Sequence, residues 1–186
     1  LSTFIEVVQP KPMSRRTIAI AAALSVLALE SPFITFNANP LPRQYFNQGV
    51  KKYEAGNYRG AIDDWSKAIE INPQDAIAYN SRGIAKDNLG DYQGAIADYT
   101  KTLEFNPQNA LAYTNRGNSK NRLQDYQGAI ADLNKAIEIN PQNALAYTNR
   151  GITRELVNDL EGACDDWRKG ADLGDKDAAE WVKNEC

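Results

Sequence analysis

The sequence predicts an all-α solenoid, in which pairs of helices stack one after another along the chain. Three observations predict this fold class. The phrase NPQNALAYTNRG occurs at 106–117 and again at 140–151, an offset of 34 residues. Small residues and large apolar residues recur at the same offset, and residues that begin or end helices divide each unit into two segments. A fixed period of this length is typical of stacked helical units that bury one face against a neighbour.

Small and large residues alternate in a way that suits helix packing. The recurring residues are a glycine (Gly49, Gly83, Gly117, Gly151), an alanine (Ala61, Ala95, Ala129, Ala163), a tyrosine (Tyr45, Tyr79, Tyr113, Tyr147) and a large apolar residue (Trp65, Tyr99, Leu133, Trp167). Helices about 8 to 10 Å apart need small side chains where their backbones approach, which explains the glycine and alanine series. The large apolar residues fill the space beside them.

Capping residues mark the helix ends. The predicted N-caps of the first helices and of the final segment are Asp75, Asn109, Asn143 and Asp177, and those of the second helices are Asn57, Asp91, Asp125 and Asp159. Residues suited to a left-handed helix end stand between the two helices of each unit, namely Gly56, Gly90, Asn158 and the less suited Gln124. Prolines 73, 107 and 141 end the second helices of three units. The predicted first helices are 42–55, 76–89, 110–123 and 144–157, and the second helices are 58–71, 92–105, 126–139 and 160–173.

The end of the chain departs from the period and predicts a capping helix. Asp175 stands where earlier units have proline. The segment 178–183 offers Ala179 and Val182 on one side at helical spacing, with Trp181 nearby. We expect it to cover the apolar face of the fourth unit, as the end of a repeat stack requires.

Residues 1–40 form a separate segment. Arg15 and Arg16 precede a mostly apolar run at 18–29, an order typical of a secretory signal, and this run is too short to span a bilayer unaided. We expect an export signal or an uncleaved membrane anchor acting through residues 17–36. An ordinary helix packed against the repeats is the third alternative. Residues 41–186 are the predicted repeat domain.

Composition excludes several classes of function. The 21 basic and 24 acidic residues give a net charge of −3, so no general positive field attracts nucleic acid. The chain has no histidine and only two cysteines, which removes the usual general base, imidazole zinc sites and thiolate metal cages. The adjacent acids Asp63-Asp64 and Asp165-Asp166 diverge by about 100° on a helix. We therefore expect no enzyme, no metal and no cofactor.

The repeat pattern resembles the tetratricopeptide repeat, in four units over residues 42–177. That resemblance implies a right-handed α-α superhelix that acts as a non-catalytic interaction module. It implies a concave groove that binds an extended or helical segment of another protein. By resemblance the groove residues are Asn80, Ile84, Asp87, Thr114, Asn115, Asn118, Asn121, Arg122, Thr148, Asn149, Ile152 and Glu155. Asparagine amides both donate and accept, so a row of them can pair with the backbone of a bound peptide. A merely solvated wall is the alternative.

Some family members bind the C-terminal carboxylate of chaperones with Lys and Arg on three first helices. The corresponding positions hold Phe46, Val50, Ser81, Leu111 and Asn115 in one register, and Asn80, Ile84, Asn115, Leu145 and Asn149 in the next. We therefore do not expect a chaperone adaptor of that type. We expect a monomer, which the signal-like segment would direct to the periplasm or thylakoid lumen. The resemblance implies a role there in assisting complex assembly. A structural or self-associating, membrane-anchored scaffold subunit is the alternative.

Two further patterns concern stability. Arginines 82, 116 and 150 and aspartates 64, 98, 132 and 166 recur at 34 residues, which predicts a ladder of ion pairs between helices, with ligand capture by the arginines as the alternative. Cys164 stands where the other units have isoleucine, so it is predicted to be a small core residue. In an oxidising compartment, a bridge from Cys164 to Cys186 would join the capping helix to the fourth unit, worth about 3 kcal/mol.

Overall fold

The computed structural model describes residues 40–186, which fold into nine helices without any strand. The helices are α1 (Pro40–Glu54), α2 (Tyr58–Ile71), α3 (Ala76–Asn88), α4 (Tyr92–Phe105), α5 (Ala110–Arg122), α6 (Tyr126–Ile139), α7 (Ala144–Leu156), α8 (Leu160–Asp172) and α9 (Lys176–Glu185). The predicted all-α repeat fold is confirmed, and every helix end lies within two residues of its prediction. The predicted export signal or anchor lies outside the described residues. Among the described helices, none combines the length and the apolar character that a bilayer crossing requires.

Local capping determines where the helices begin and end. Asp75 accepts hydrogen bonds from the backbone N–H groups of Ile77 and Ala78, at 3.0 and 3.1 Å. The turn between the helices of a unit needs a left-handed residue. Gln124 supplies it in the third unit at φ 65°, although it lacks the freedom of glycine.

The N-cap prediction for the last helix is wrong. Asp175, not Asp177, caps α9 and accepts from the backbone N–H groups of Asp177 and Ala178. The reason lies in Gly174, which adopts φ 96° two residues after the end of α8. The α8–α9 junction therefore uses the tight turn found within a unit instead of the longer, proline-containing connection between units, and the cap moves two residues earlier.

This shift also changes the buried face of α9. Ala179 is exposed, contrary to prediction, whereas Ala178 is fully buried. Trp181 and Val182 are half-buried and pack with Ala178 against the end of the fourth unit. The capping role predicted for this segment is confirmed, with a different register.

The glycine series marks close contacts inside each unit. A Cβ atom on Gly83 would lie 2.8 Å from Cε1 of Tyr99, and one on Gly151 would lie 2.5 Å from Nε1 of Trp167. No real side chain fits at such distances. The large apolar residue of the second helix therefore occupies the space that the glycine leaves free, as the pattern predicted.

The predicted ladder of ion pairs is present. Arginines 82, 116 and 150 each bind an aspartate of the same unit through two nitrogen atoms, at 2.6 to 2.9 Å. The third nitrogen of each reaches the second helix of the preceding unit, at Ser66, Thr100 or Asn134. Each arginine thereby links two units. The first unit has Gln48 in place of arginine, and Lys52 lies 2.6 Å from Asp64 instead.

A disulfide bond joins Cys164 in α8 to Cys186, the residue after α9, with their Cα atoms 5.7 Å apart. Cys164 is buried at 6% exposure, in the core position predicted for it. The bond connects the C-terminal end of the capping helix to the fourth unit.

Candidate functional site

The first helices of neighbouring units contact one another directly, α3 with α5 and α5 with α7. Three clefts follow this inner surface. The first, of about 350 Å³, is lined by Ile84, Asp87, Asn88, Tyr92, Tyr99, Leu111, Asn115, Asn118 and Arg122. The second, of about 460 Å³, is lined by Asn118, Asn121, Arg122, Gln124, Tyr126, Asn149, Ile152 and Leu156. The third, of about 300 Å³, is lined by Ile152, Glu155, Trp167, Trp181 and Glu185.

The three clefts form one continuous surface, which we call the groove. Asn118 and Arg122 line both the first and the second cleft, and Ile152 lines both the second and the third. The groove therefore runs from α3 to α9 across the inner side of the stack.

Nine of the predicted groove residues line these clefts. They are Ile84, Asp87, Asn115, Asn118, Asn121, Arg122, Asn149, Ile152 and Glu155. The other three, Asn80, Thr114 and Thr148, occupy equivalent positions one unit apart and line none of the clefts.

Thr114 and Thr148 do not line the groove, because each is buried and forms a hydrogen bond with the N-cap residue of a later helix. Thr114 is fully buried, and its Oγ1 accepts from Nδ2 of Asn143 at 2.9 Å. Thr148 is 4% exposed and donates to Oδ2 of Asp175 at 2.8 Å. These threonines hold consecutive elements together, and the prediction that they line the groove is corrected.

Asp87 lies in the first cleft but is held by internal bonds. The phenolic O–H of Tyr99 donates to one carboxylate oxygen and the Ser119 hydroxyl donates to the other, each at 2.7 Å. Burial raises the pKa of Asp87 above its usual range, and the two hydrogen bonds oppose that rise. Burial and the neighbouring Asp87 carboxylate likewise raise the pKa of Tyr99. Asp87 therefore joins α3, α4 and α5 at the base of the cleft.

Other polar groups of the groove remain available to a ligand. Within residues 40–186, the side-chain amides of Asn115, Asn118 and Asn149 form no hydrogen bond. The exposed guanidinium of Arg122 forms no ion pair in that part of the chain. Asn121, by contrast, donates to Oγ1 of Thr153 at 3.1 Å and so links α5 to α7.

Several lining residues are not among the predicted groove residues. Leu111 is 50% exposed, and it recurs at 34 residues with the exposed Ile77 and Leu145, a signal that was readable in the sequence. Tyr92 and Tyr126 are the first residues of the second helices α4 and α6, and they line the first and the second cleft. Trp181 comes from the capping helix, which does not follow the repeat register.

The groove offers hydrogen-bonding amides and apolar side chains. In the described chain, no group of three or more His, Cys, Asp or Glu side chains could hold a metal ion.

Comparison with known protein families identifies repeats along most of the domain. Models described as tetratricopeptide repeat match residues 76–109, 110–143 and 133–165, and a model described as TPR repeat matches residues 49–86. Together they span 49–165. A tetratricopeptide repeat protein 36 homolog from Nematostella vectensis is 38% identical over 58 residues, 30% of this chain. That match spans about a third of the relative's length.

Solved structures share the same architecture. The crystal structure of MamA protein superposes with a TM-score of 0.70 at 21% identity, over 78% of this chain and 90% of MamA. The first TPR of Spaghetti (RPAP3), bound to the HSP90 peptide SRMEEVD, superposes with a TM-score of 0.57 at 29% identity, over 60% of this chain and 90% of that one.

Proposed function

This chain belongs to the tetratricopeptide repeat family, and we propose that it binds an extended or helical segment of a partner protein along the groove. The family supports a role as a protein-interaction module. The proposal concerns where and how the partner binds.

One observation carries the proposal: asparagine amides without internal partners alternate with exposed apolar side chains along one continuous surface. An amide offers two donors and one acceptor, so Asn115, Asn118 and Asn149 can pair with the backbone of a bound segment whatever its sequence. Leu111 and Leu156, each 50% exposed, offer apolar area to its side chains. These groups can bind a ligand without breaking hydrogen bonds that hold the fold together.

The related RPAP3 domain supports this use of the fold, because its structure holds a peptide. The positions that carry basic residues in carboxylate-binding family members hold uncharged residues here, including Asn115 and Asn149. We therefore expect affinity to depend on amide pairing and apolar contact along the segment more than on capture of a terminal carboxylate.

The proposed setting is an oxidising compartment outside the cytoplasm, where the partner belongs to a larger complex under assembly. The signal-like order of residues 13–40 supports export, and the Cys164–Cys186 bond suits such a compartment. Mass spectrometry of the mature N-terminus tests this part of the proposal. An intact Met13 in a soluble cytosolic protein would contradict it.

Calorimetry with a purified partner tests the groove. The partner is first isolated by chemical crosslinking in the native cells, and its affinity is then measured for the wild type and for Asn115→Ala/Asn149→Ala. We expect the double variant to bind about tenfold more weakly, because each lost amide removes about 0.5 to 1.5 kcal/mol of hydrogen bonding.

The matched control is Gln93→Ala/Gln127→Ala, which removes two exposed amides from second helices. This control should leave the affinity unchanged. Alanine favours a helix interior, so neither pair should unfold the protein. Equal affinities for the wild type and the Asn115/Asn149 variant would overturn the groove assignment, and light scattering distinguishes partner binding from self-association.

A further inference from the structure

The third cleft differs from the rest of the groove in its chemistry. Two indoles and two carboxylates line a space of about 300 Å³ between α7, α8 and α9, with Ile152 as the fifth residue. Trp167 is 1% exposed and forms the floor, whereas Trp181 is half-buried and forms a wall. Their ring centroids lie 5.5 Å apart at an interplanar angle of 55°.

The two carboxylates in this cleft have no cationic partner among the described residues. Glu155 and Glu185 are exposed, and neither side chain forms an ion pair with a residue in the described range. Arg154, next to Glu155 in sequence, is already held by Asp166 at 2.9 Å and by Asp159 at 3.6 Å. Lys183, two residues before Glu185, forms no ion pair with a residue in that range. The cleft therefore carries negative charge that the fold does not neutralise.

The part of the chain that surrounds the cleft also carries a net negative charge. Residues 154–186 contain five basic and ten acidic residues, a net charge of −5. A cation that approaches this end of the groove is attracted before contact and then meets carboxylates and an aromatic face. Aromatic faces attract cations through the ring quadrupole, most strongly in tryptophan.

The geometry points to a binding site for one cationic side chain, a lysine or an arginine of the partner segment, in the third cleft. This inference rests on the proposed function, because the segment reaches the cleft along the groove. Glu155 from α7 and Glu185 from α9 bind the charged group, and the indole of Trp181 packs against it. Arginine fits best, since its planar guanidinium can stack on an indole while donating to carboxylates.

The capping helix and its disulfide bond together form this site. Trp181 and Glu185 lie on α9, and Cys186 directly follows Glu185. Its bond to Cys164 in α8 holds this end of α9 beside the fourth unit. Without α9, the cleft would lose three of its walls: the Trp181 ring, the Glu185 carboxylate and the cover over Trp167.

NMR of the tryptophan indole N–H signals tests the inference with defined probes. The full-length, oxidised protein is titrated with acetyl-arginine N-methylamide and with the uncharged isostere acetyl-citrulline N-methylamide. The chain has three tryptophans, and Trp65 in the first unit serves as an internal reference. Trp181→Phe assigns the signal. We expect a saturable shift of the Trp181 signal with the arginine probe, none at Trp65, and at least about tenfold weaker binding of the citrulline probe.

Variants of equal charge change locate the site. Glu155→Gln/Glu185→Gln should weaken binding of the arginine probe about fivefold or more. The control Glu161→Gln/Glu180→Gln also removes two negative charges, from exposed acids on α8 and α9 that do not line the cleft, and should leave binding unchanged. Equal binding of both probes, equal shifts at Trp65, or the same loss in Glu161→Gln/Glu180→Gln would overturn the inference. The proposed function would survive that result as long as the Asn115/Asn149 variant still loses its partner.

Discussion

Arg116 binds Asp132 through two parallel hydrogen bonds, from Nε to Oδ2 at 2.8 Å and from Nη2 to Oδ1 at 2.7 Å. Asp132 is only 5% exposed and also lies 2.8 Å from Nζ of Lys120. The guanidinium additionally lies 5.5 Å from the ring centre of Tyr113. This arrangement recurs in units two to four, with Arg154 in place of the lysine in the fourth. The arginine therefore joins both helices of its own unit to the second helix of the preceding unit.

Replacing Arg116 by leucine should lower the free energy of unfolding by about 2 to 4 kcal/mol. The change leaves the buried carboxylate of Asp132 with Lys120 as its remaining cation. Urea denaturation followed by circular dichroism measures the effect. Arg122→Leu is the control, because Arg122 is exposed and makes no ion pair among residues 40–186, and its stability should change by less than about 0.5 kcal/mol. Unchanged stability with lost partner binding in Arg116→Leu would favour ligand capture over the ladder.

The glycine contacts make a second prediction. Gly151→Ala should destabilise the protein by about 1 to 3 kcal/mol, although alanine is the better helix former, because the added methyl group would meet the Trp167 indole. Asn149→Ala in the same helix removes a side chain without internal hydrogen bonds and should be neutral or slightly stabilising. Thermal unfolding compares the two variants. A stabilised Gly151→Ala protein would show that the indole can move aside.

The Asp87 carboxyl group should titrate above the usual value of 3.8 for aspartate, because its burial disfavours the charged form. Tyr99→Phe should raise this pKa further, since the variant removes a hydrogen bond that stabilises the carboxylate. Carbon-13 NMR of the side-chain carboxyl groups measures both values. Tyr126→Phe is the control, because the Tyr126 hydroxyl makes no hydrogen bond within the described range. A pKa at or below 3.8 would contradict the role assigned to burial, and a pKa unaffected by Tyr99→Phe would contradict the role assigned to the hydrogen bond.

The raised pKa of Asp87 predicts how the stability of the protein depends on pH. A carboxyl group whose pKa is raised on folding binds its proton more tightly in the folded state. The contribution of Asp87 to the free energy of unfolding is therefore greatest below pH 3.8 and is lost as the pH rises through the folded pKa. In Tyr99→Phe that loss should extend to higher pH. Denaturation at a series of pH values, compared with Tyr126→Phe, measures the difference.

The disulfide predicts a response to reduction. The oxidised native protein should contain no titratable thiol, and reduction should lower the free energy of unfolding by about 3 kcal/mol, because the bond spans 22 residues. Hydrogen exchange should then rise in α9 before any other helix. A Cys164→Ala/Cys186→Ala variant serves as the control, since reductant should not change its stability. Two free thiols in the native protein would contradict the bridge.

Most of the fold could be predicted from the sequence, because residues close in sequence determine where each helix begins and ends. Asp75 caps α3 with its own side chain, and Pro73 ends the preceding helix whatever lies further away. The exception lies at α9, where Gly174 and Asp175 replace the connection used elsewhere. The 34-residue register places the cap at Asp177, whereas the tighter turn places it at Asp175.

The groove was less predictable because exposure depends on contacts between units. The 34-residue register alone assigns Thr114 to the inner surface. In the fold, however, Thr114 is buried and accepts a hydrogen bond from Asn143. Asp87 faces the first cleft, but Tyr99 and Ser119 decide that it is held by the fold. Trp181 could not be assigned to the groove, because the register that identifies groove positions does not extend into α9.

Photo-crosslinking from single positions tests whether the partner lies in the groove. A photoreactive residue replaces either Asn118, which lines the first and second clefts, or Gln127, an exposed residue on α6. We predict that the purified partner is crosslinked from position 118 and not from position 127. Equal crosslinking from both positions, or crosslinking from position 127 alone, would show that the partner binds elsewhere.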